Sequence, residues 1–259
     1  MGVKINCTLP SETANFQKVK NTEYSINPSQ IVTDEHNNTV AIFSIPHQQA
    51  NITISIISII ELEQLEFRQS SPIFQYNKTS QIFQEYTKQE IYIESDAPKI
   101  RELAYDITAN SSNALESSKL ICEWVNENLN HTGYAEEERG ALWALENGTG
   151  DCSEFSHLFI ALCRAVGIPS RFVNGISLWS FLEDGIQEWN EVGHDWAEVY
   201  FPDVGWVWVD PVSNEFGCSD GKHLALQHGQ HSSSIEGNYR YRYIGASKAT
   251  EMFEIYTVE

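Results

Sequence analysis

The chain has 259 residues, with 36 Asp and Glu against 16 Lys and Arg, a formal net charge of −20 at pH 7. A body this acidic repels phosphate backbones and anionic lipid surfaces, which excludes nucleic-acid binding as its main work. With 41% hydrophobic and 12% aromatic residues, it can bury a core, so global disorder is excluded too.

The first ninety-odd residues read as β. Residues 40–45 are a β-rich run that follows the turn-like Asp34-Glu35-His36-Asn37-Asn38. Residues 51–56 alternate polar and apolar, the period of a half-buried strand. Residues 66–68 and 73–76 predict further strand or edge pieces. The greasiest run, residues 52–60, is nine long and is broken by Thr53, Ser55 and Ser58. That is well short of the ~20 residues of a membrane span, so no membrane insertion is expected. Together these segments predict a small antiparallel, sandwich-like module over residues 1–94 that carries no clustered chemistry.

The pattern changes at Ser95-Asp96-Ala97-Pro98, a capping residue with Pro in the first turn. The domain boundary is placed there, with a second domain over 95–259. Ile100, Leu103, Ala104 and Ile107 follow helical spacing. A second helix is expected over about residues 113–129, with the stripe Leu115, Leu120, Ile121, Trp124, Val125 and Leu129. Leu142 and Leu145 mark a short third helix, ended by Asn147-Gly148-Thr149-Gly150. Residues 151–166 predict a helix stopped by Gly167-Ile168-Pro169. A strand begins at Arg171, a Trp- and acid-rich loop covers 178–193, and two strands, 194–201 and 206–210, flank the turn Pro202-Asp203-Val204-Gly205.

Five cysteines, Cys7, Cys122, Cys152, Cys163 and Cys218, are odd in number and form no CxxC pair, which disfavours a disulfide scaffold and a structural zinc site. Cys152 differs from the others in its setting, two residues past Gly150 at the mouth of a helix, where unpaired N–H groups and the helix dipole favour a thiolate. A thiolate nucleophile needs an imidazole partner, and His194 opens a strand. Asp210 closes the next strand, where a carboxylate can orient that imidazole. The two share a sheet face only if the hairpin leaves an odd number of loop residues, as when Tyr200 pairs with Trp206, or carries a bulge. In that register Ala197, Val199, Phe201, Val207 and Val209 form one apolar layer on the other face.

Gly150-Asp-Cys-Ser-Glu-Phe-Ser-His-Leu-Phe159, Arg164-Ala-Val-Gly-Ile-Pro-Ser-Arg171, His194-Asp-Trp-Ala-Glu-Val-Tyr200 and Gly205-Trp-Val-Trp-Val-Asp-Pro211 resemble the transglutaminase-like superfamily. The resemblance covers roughly residues 95–215. The family's Cys, His and Asp fall on Cys152, His194 and Asp210 in the same chain order. The resemblance implies an α+β, papain-like core and chemistry through a thioester: acyl transfer from a carboxamide, or hydrolysis of an amide, in a protein or peptide substrate. No metal and no cofactor are expected, and no calcium ligand pattern of the animal enzymes can be traced. Asp195 departs from the pattern, since small residues are common between the His and the Trp. The Cys152 backbone N–H is one expected oxyanion donor; Tyr134 and Trp143 are candidates for the other.

Trp179, Trp189, Trp196, Trp206 and Trp208 surround the expected site. Trp196, Trp179 and Tyr134 are the candidates for substrate contact. His223, His228 and His231 suggest a metal site, but their Gly/Gln/Ser-rich setting predicts a solvated loop. His157 and Cys163 read as core residues, and Arg171 and Glu198 as an internal pair. The alternative to an enzyme is a transglutaminase-like binding or cell-surface scaffold. Sequons at Asn6, Asn37, Asn51, Asn77, Asn110, Asn130 and Asn147 exceed the roughly three expected by chance. They point to an extracellular or cell-surface location, with a cytoplasmic one as the alternative.

Overall fold

The computed structural model describes residues 2–13, 16–46, 52–63, 65–66, 75–135, 137–177, 185–187, 193–202, 204–219, 221, 223–229, 231, 239–242 and 253–255. The N-terminal part is strand-rich, with β1 (Gly2–Thr8), β2 (Gln17–Tyr24), β3 (Gln30–Thr33), β4 (Thr39–Pro46), β5 (Ile56–Leu62) and the two-residue β6 (Leu65–Glu66). β4 is the run expected at 40–45. The turn before it is tied by Asp34, whose Oδ1 accepts the backbone N–H groups of His36 and Asn38 at 2.9 and 2.8 Å. Asn37 takes a left-handed φ of 67° there, which Asn tolerates. The strand expected from residue 51 begins instead at Ile56, where pairing with β2 starts opposite Tyr24. Much of the segment where edge pieces were expected, residues 67–74, lies outside the described residues. The short helix α1 (Gln81–Tyr86) was not expected. It is started by Ser80, whose Oγ accepts from Phe83 N at 3.2 Å.

The helices that follow are α2 (Pro98–Thr108), α3 (Ala114–Asn128), α4 (Ala141–Asn147) and α5 (Cys152–Ala165). Between them β7 (Asn130–His131) pairs in parallel with β8 (Thr149–Gly150). Pro98 opens α2 as its spacing predicts, but the cap is Ala97, with no side-chain bond, rather than Ser95 or Asp96. Asn113 caps α3. α5 ends as expected: Gly167 has φ 77°, and Ile168 N reaches back to Cys163 O at 2.9 Å.

The remaining strands are β9 (Ser170–Ser177), β10 (Gly185–Gln187), β11 (Gly193–Phe201), β12 (Gly205–Asp210), β13 (Glu215–Phe216), β14 (Cys218–Ser219), β15 (His223–Gly229), β16 (Tyr239–Arg242) and β17 (Phe253–Ile255). Five of them form an antiparallel sheet in the order β13-β12-β11-β9-β15. Its hairpin has Tyr200 opposite Trp206 and Ala197 opposite Val209, the register that His194 and Asp210 require. α5 buries its length against one face of this sheet. Phe155, Leu158, Phe159 and Leu162 share a core with Phe172, Ala197, Val199, Phe201, Val207 and Val209. The other face carries a smaller cluster of Val173, Trp196, Trp208 and Ala225, closed by Phe16 of the N-terminal part.

The edge strand β15 is covered by side chains that imitate a neighbouring strand. Asn38 accepts from His228 N at 2.7 Å and donates to His228 O at 2.8 Å. Gln17 does the same at Ala225, both at 2.8 Å. The ladder with β9 slips between Ala225 and Gln227, and Ser11 Oγ bonds the carbonyl of Leu226 within that bulge at 2.8 Å. Open strand edges invite foreign pairing, and these two amides remove that opportunity. In the other direction, β16 joins β1, so the N-terminal sheet runs β16-β1-β4-β3.

Candidate active site

Cys152 is the first residue of α5, and its placement is set by Asp151 and Glu154. Asp151 Oδ1 accepts from Ser153 N at 2.9 Å and Glu154 Oε2 accepts from Asp151 N at 2.9 Å, a reciprocal cap. The other carboxylate oxygens hold the preceding segment, Asp151 Oδ2 accepting from Ala135 N and Glu154 Oε1 from Arg139 N. Gly150 is required here because a Cβ would collide with the Glu154 side chain.

His194 and Asp210 meet on one face of the sheet. His194 Nε2 donates to Asp210 Oδ2 at 2.9 Å, which leaves Nδ1 as the nitrogen not engaged by the carboxylate. Asp210 is buried and also accepts from Val212 N and Ser213 Oγ, both at 2.8 Å. Burial works to raise its pKa, but the bond and charge of His194 hold it below its ordinary value. Burial likewise works to lower His194, and the bond and charge of Asp210 outweigh it, so the imidazole holds its proton above the usual pH.

Side chains alternate along β11, so Asp195 leaves by the α5 face while His194 leaves by the other. The Cys152 thiol accordingly meets Asp195, with Sγ donating to Oδ2 at 3.9 Å. Asp195 Oδ1 is anchored by Asn174 Nδ2 at 2.8 Å, its direct partner across β9. Burial pushes Asp195 up to about 7, against the Asn174 bond and the His194 charge. The helix-start argument by itself predicts a lowered thiol pKa. In the structure burial, then the charges of Asp195, Asp151 and Asp210, push Cys152 well above its ordinary value, against a hydrogen bond from the Asp195 backbone N–H.

The family model of the transglutaminase-like superfamily matches residues 101–211, the stretch that contains all three of these side chains. Residues 101–211 form a transglutaminase-like superfamily domain. YebA of Bacillus subtilis (strain 168), an uncharacterized protein, is 26% identical over 235 residues, which cover 76% of this chain and 30% of YebA. An uncharacterized protein of Haemophilus influenzae is 26% identical over 193 residues, 67% of this chain and 52% of its own length. The chain therefore spans no more than about half of either relative. A solved structure from Cytophaga hutchinsonii, described as a "Putative Cysteine Protease", has the same fold. Its TM-score is 0.68 at 17% identity, covering 97% of this chain and 83% of that one.

Around the transglutaminase-like domain's Cys, His and Asp, the expected aromatic contacts divide. Trp196 is fully buried and its ring lies over Gly175, so it supports His194 from within at a ring separation of 6.0 Å. Tyr134 is 65% exposed. Trp179 and Trp189 lie outside the described residues. His223 and His228 belong to the buried strand β15, and His231 is buried just beyond it, which corrects the solvated-loop expectation. The spacing of their Gly and Gln neighbours hid a strand whose apolar core is only Leu224-Ala225-Leu226.

His223 is the residue that sequence reasoning missed. Its Nε2 lies 3.7 Å from Asp210 Oδ2, and its ring is 5.3 Å from that of His194 and 5.0 Å from that of Trp208. His194, Asp210 and His223 each bring a ligand-capable atom within 4.8 Å of the others, close enough to hold a small cation; their shortest contact is the hydrogen bond already described. His157 is a core residue as expected. It stacks between Tyr92 and Phe172 at 5.6 and 5.1 Å, and burial lowers its pKa to about 3. Arg171 and Glu198 pair across the sheet at 2.7 and 2.6 Å.

Proposed function

We propose that the chain performs cysteine-dependent amide chemistry through a thioester, by acyl transfer or by hydrolysis. The observation that carries this reading is the His194–Asp210 pair, held at 2.9 Å by strand register on the sheet against which the Cys152 helix packs. In the structure the sulfur contacts Asp195 and the imidazole contacts Asp210, with no hydrogen bond between Cys152 and His194 among the described residues. In this reading the imidazole comes within reach of the sulfur when substrate binds, His194 Nδ1 takes the Cys152 proton and the sulfur attacks the carbonyl carbon. The oxyanion forms beside the Cys152 N–H at the helix start, where backbone donors need no reorganisation. The imidazolium protonates the leaving amine, and water or an amine resolves the acyl-enzyme. Asp210 fixes the tautomer, since its bond to Nε2 leaves Nδ1 for the sulfur.

The substrate class is a protein or peptide bearing a carboxamide or amide bond. A location outside the cell or on its surface is supported by the sequon excess; Asn37, Asn77, Asn110, Asn130 and Asn147 are exposed. The test is intact-mass detection of a covalent acyl adduct after incubation with glutamine-containing peptides. The expected result is one acyl group on the wild type and none on Cys152→Ala. Absence of an adduct on the wild type, or an equal adduct on Cys152→Ala, overturns the reading.

A further inference from the structure

Building on the thioester reading, we infer that Asp195 selects the acyl acceptor, admitting a cationic primary amine in preference to a neutral nucleophile. Asp195 occupies the position between His194 and Trp196, on the same side of the sheet as the sulfur and on the opposite side from Asp210. Its Oδ2 lies 3.9 Å from Cys152 Sγ, and its Oδ1 is fixed by Asn174 at 2.8 Å. The carboxylate is therefore aimed by a rigid cross-strand partner rather than free to swing away. It is partly exposed, as are Cys152 and His194, so an incoming group can reach it. Among the described residues no lysine or arginine forms an ion pair with it, and the carboxylates of Asp151 and Glu138 act on it electrostatically.

Once Cys152 is acylated, the carbonyl carbon is bonded to Sγ. An acceptor nitrogen in line for attack stands ~3–3.5 Å from that carbon. Because Asp195 Oδ2 stands 3.9 Å from Sγ, an acceptor that approaches from the Asp195 side comes within hydrogen-bond reach of that oxygen. A primary ammonium gains a charge-assisted bond there that water and neutral amines do not. The net charge of −20 raises the local concentration of such cations.

The step balances as follows. The ammonium gives one proton to the Asp195 carboxylate, and the freed nitrogen lone pair forms the C–N bond. The tetrahedral intermediate loses an N–H proton to His194 as the C–S bond breaks toward sulfur. The products are the new amide, a Cys152 thiolate paired with the His194 imidazolium, and a protonated Asp195 that returns its proton to water.

The test loads Cys152 with acetyl from p-nitrophenyl acetate and follows loss of the acetyl mass in the presence of water, hydroxylamine (neutral) or 1,4-diaminobutane (cationic). In the wild type the diamine should outpace hydroxylamine by more than their relative reactivity toward a small thioester in solution. In Asp195→Asn the diamine-to-hydroxylamine ratio should fall about tenfold, the size of one charge-assisted bond. The isosteric amide leaves the Asn174 side satisfied by a simple flip, and the wild-type comparison stands by itself if the variant fails to fold. A wild-type ratio equal to that in solution, or a ratio unchanged in Asp195→Asn, overturns the inference while leaving the acyl-enzyme intact. Failure of Cys152 to take up acetyl at all overturns the thioester reading beneath it.

Discussion

At the scale of single residues, the site is a contest among carboxylates for two protons. Asp210 lies buried with three donors and is held below its ordinary pKa, and its bond and charge raise that of His194. Asp195, with one amide donor and the sulfur, is poorly stabilised as an anion and keeps the thiol in its neutral form. The pair therefore contributes to folding in a defined pH window. His194 is raised in the folded state, so its contribution is complete below its unfolded value of about 6.5 and fades as pH rises through the folded one. Asp210 is lowered, so its contribution holds above about 3.8 and fades as pH falls through its folded value. We expect His194→Gln to cost most stability between about pH 4 and 6.5, with the difference from wild type shrinking toward alkaline pH. Urea unfolding of both proteins across pH 4–9 measures this, and a difference that grows above pH 7 contradicts the assignment.

At the scale of elements, a helix start and a hairpin register place the chemistry. Asp151 ties three donors, Ser153 N, Ser153 Oγ and Ala135 N, and so fixes both the first turn of α5 and the segment before it. Asp151→Ala removes the cap and should cost about 1–2 kcal/mol, the usual range for an N-cap. It also removes one carboxylate that opposes the thiolate, so alkylation of Cys152 by iodoacetamide should quicken even as the melting temperature drops. A variant that is destabilised without that gain in reactivity would show that Asp151 has no electrostatic hold on the sulfur. The β11–β12 hairpin works by counting: pairing Phe201 with Gly205 leaves three loop residues, an odd number, and His194 and Asp210 emerge on the same face. A one-residue slip would send them to opposite sides.

At the scale of the whole molecule, the N-terminal part and the transglutaminase-like domain are joined at the sheet edge next to the site. Phe16 closes the cluster that contains Trp196, and Asn38 and Gln17 serve as the missing neighbour of β15, the strand that carries His223. Asn38→Ala leaves the His228 N–H and C=O buried without partners, and should lower unfolding free energy by about 2–4 kcal/mol. Chemical denaturation measures this, and a loss under about 0.5 kcal/mol, the size of an ordinary surface substitution, would show that water replaces the amide. Much of the core was legible before any coordinates. The α5 stripe, its Gly167 stop and the alternation in β11 and β12 are local patterns that each bury one face, and short-range periodicity is enough to read them. Cys152, His194 and Asp210 stood out because turn, strand start and strand end are also local signals. Three things lay outside that reach: the contact of Cys152 with Asp195, the raised thiol pKa, and the arrival of His223 beside Asp210 from a strand that reads as loop. Each depends on which side chains from distant segments share a face and exclude water. Desolvation and Coulomb interaction are set by those distances, and distances between remote stretches of chain exist only once the sheet has formed.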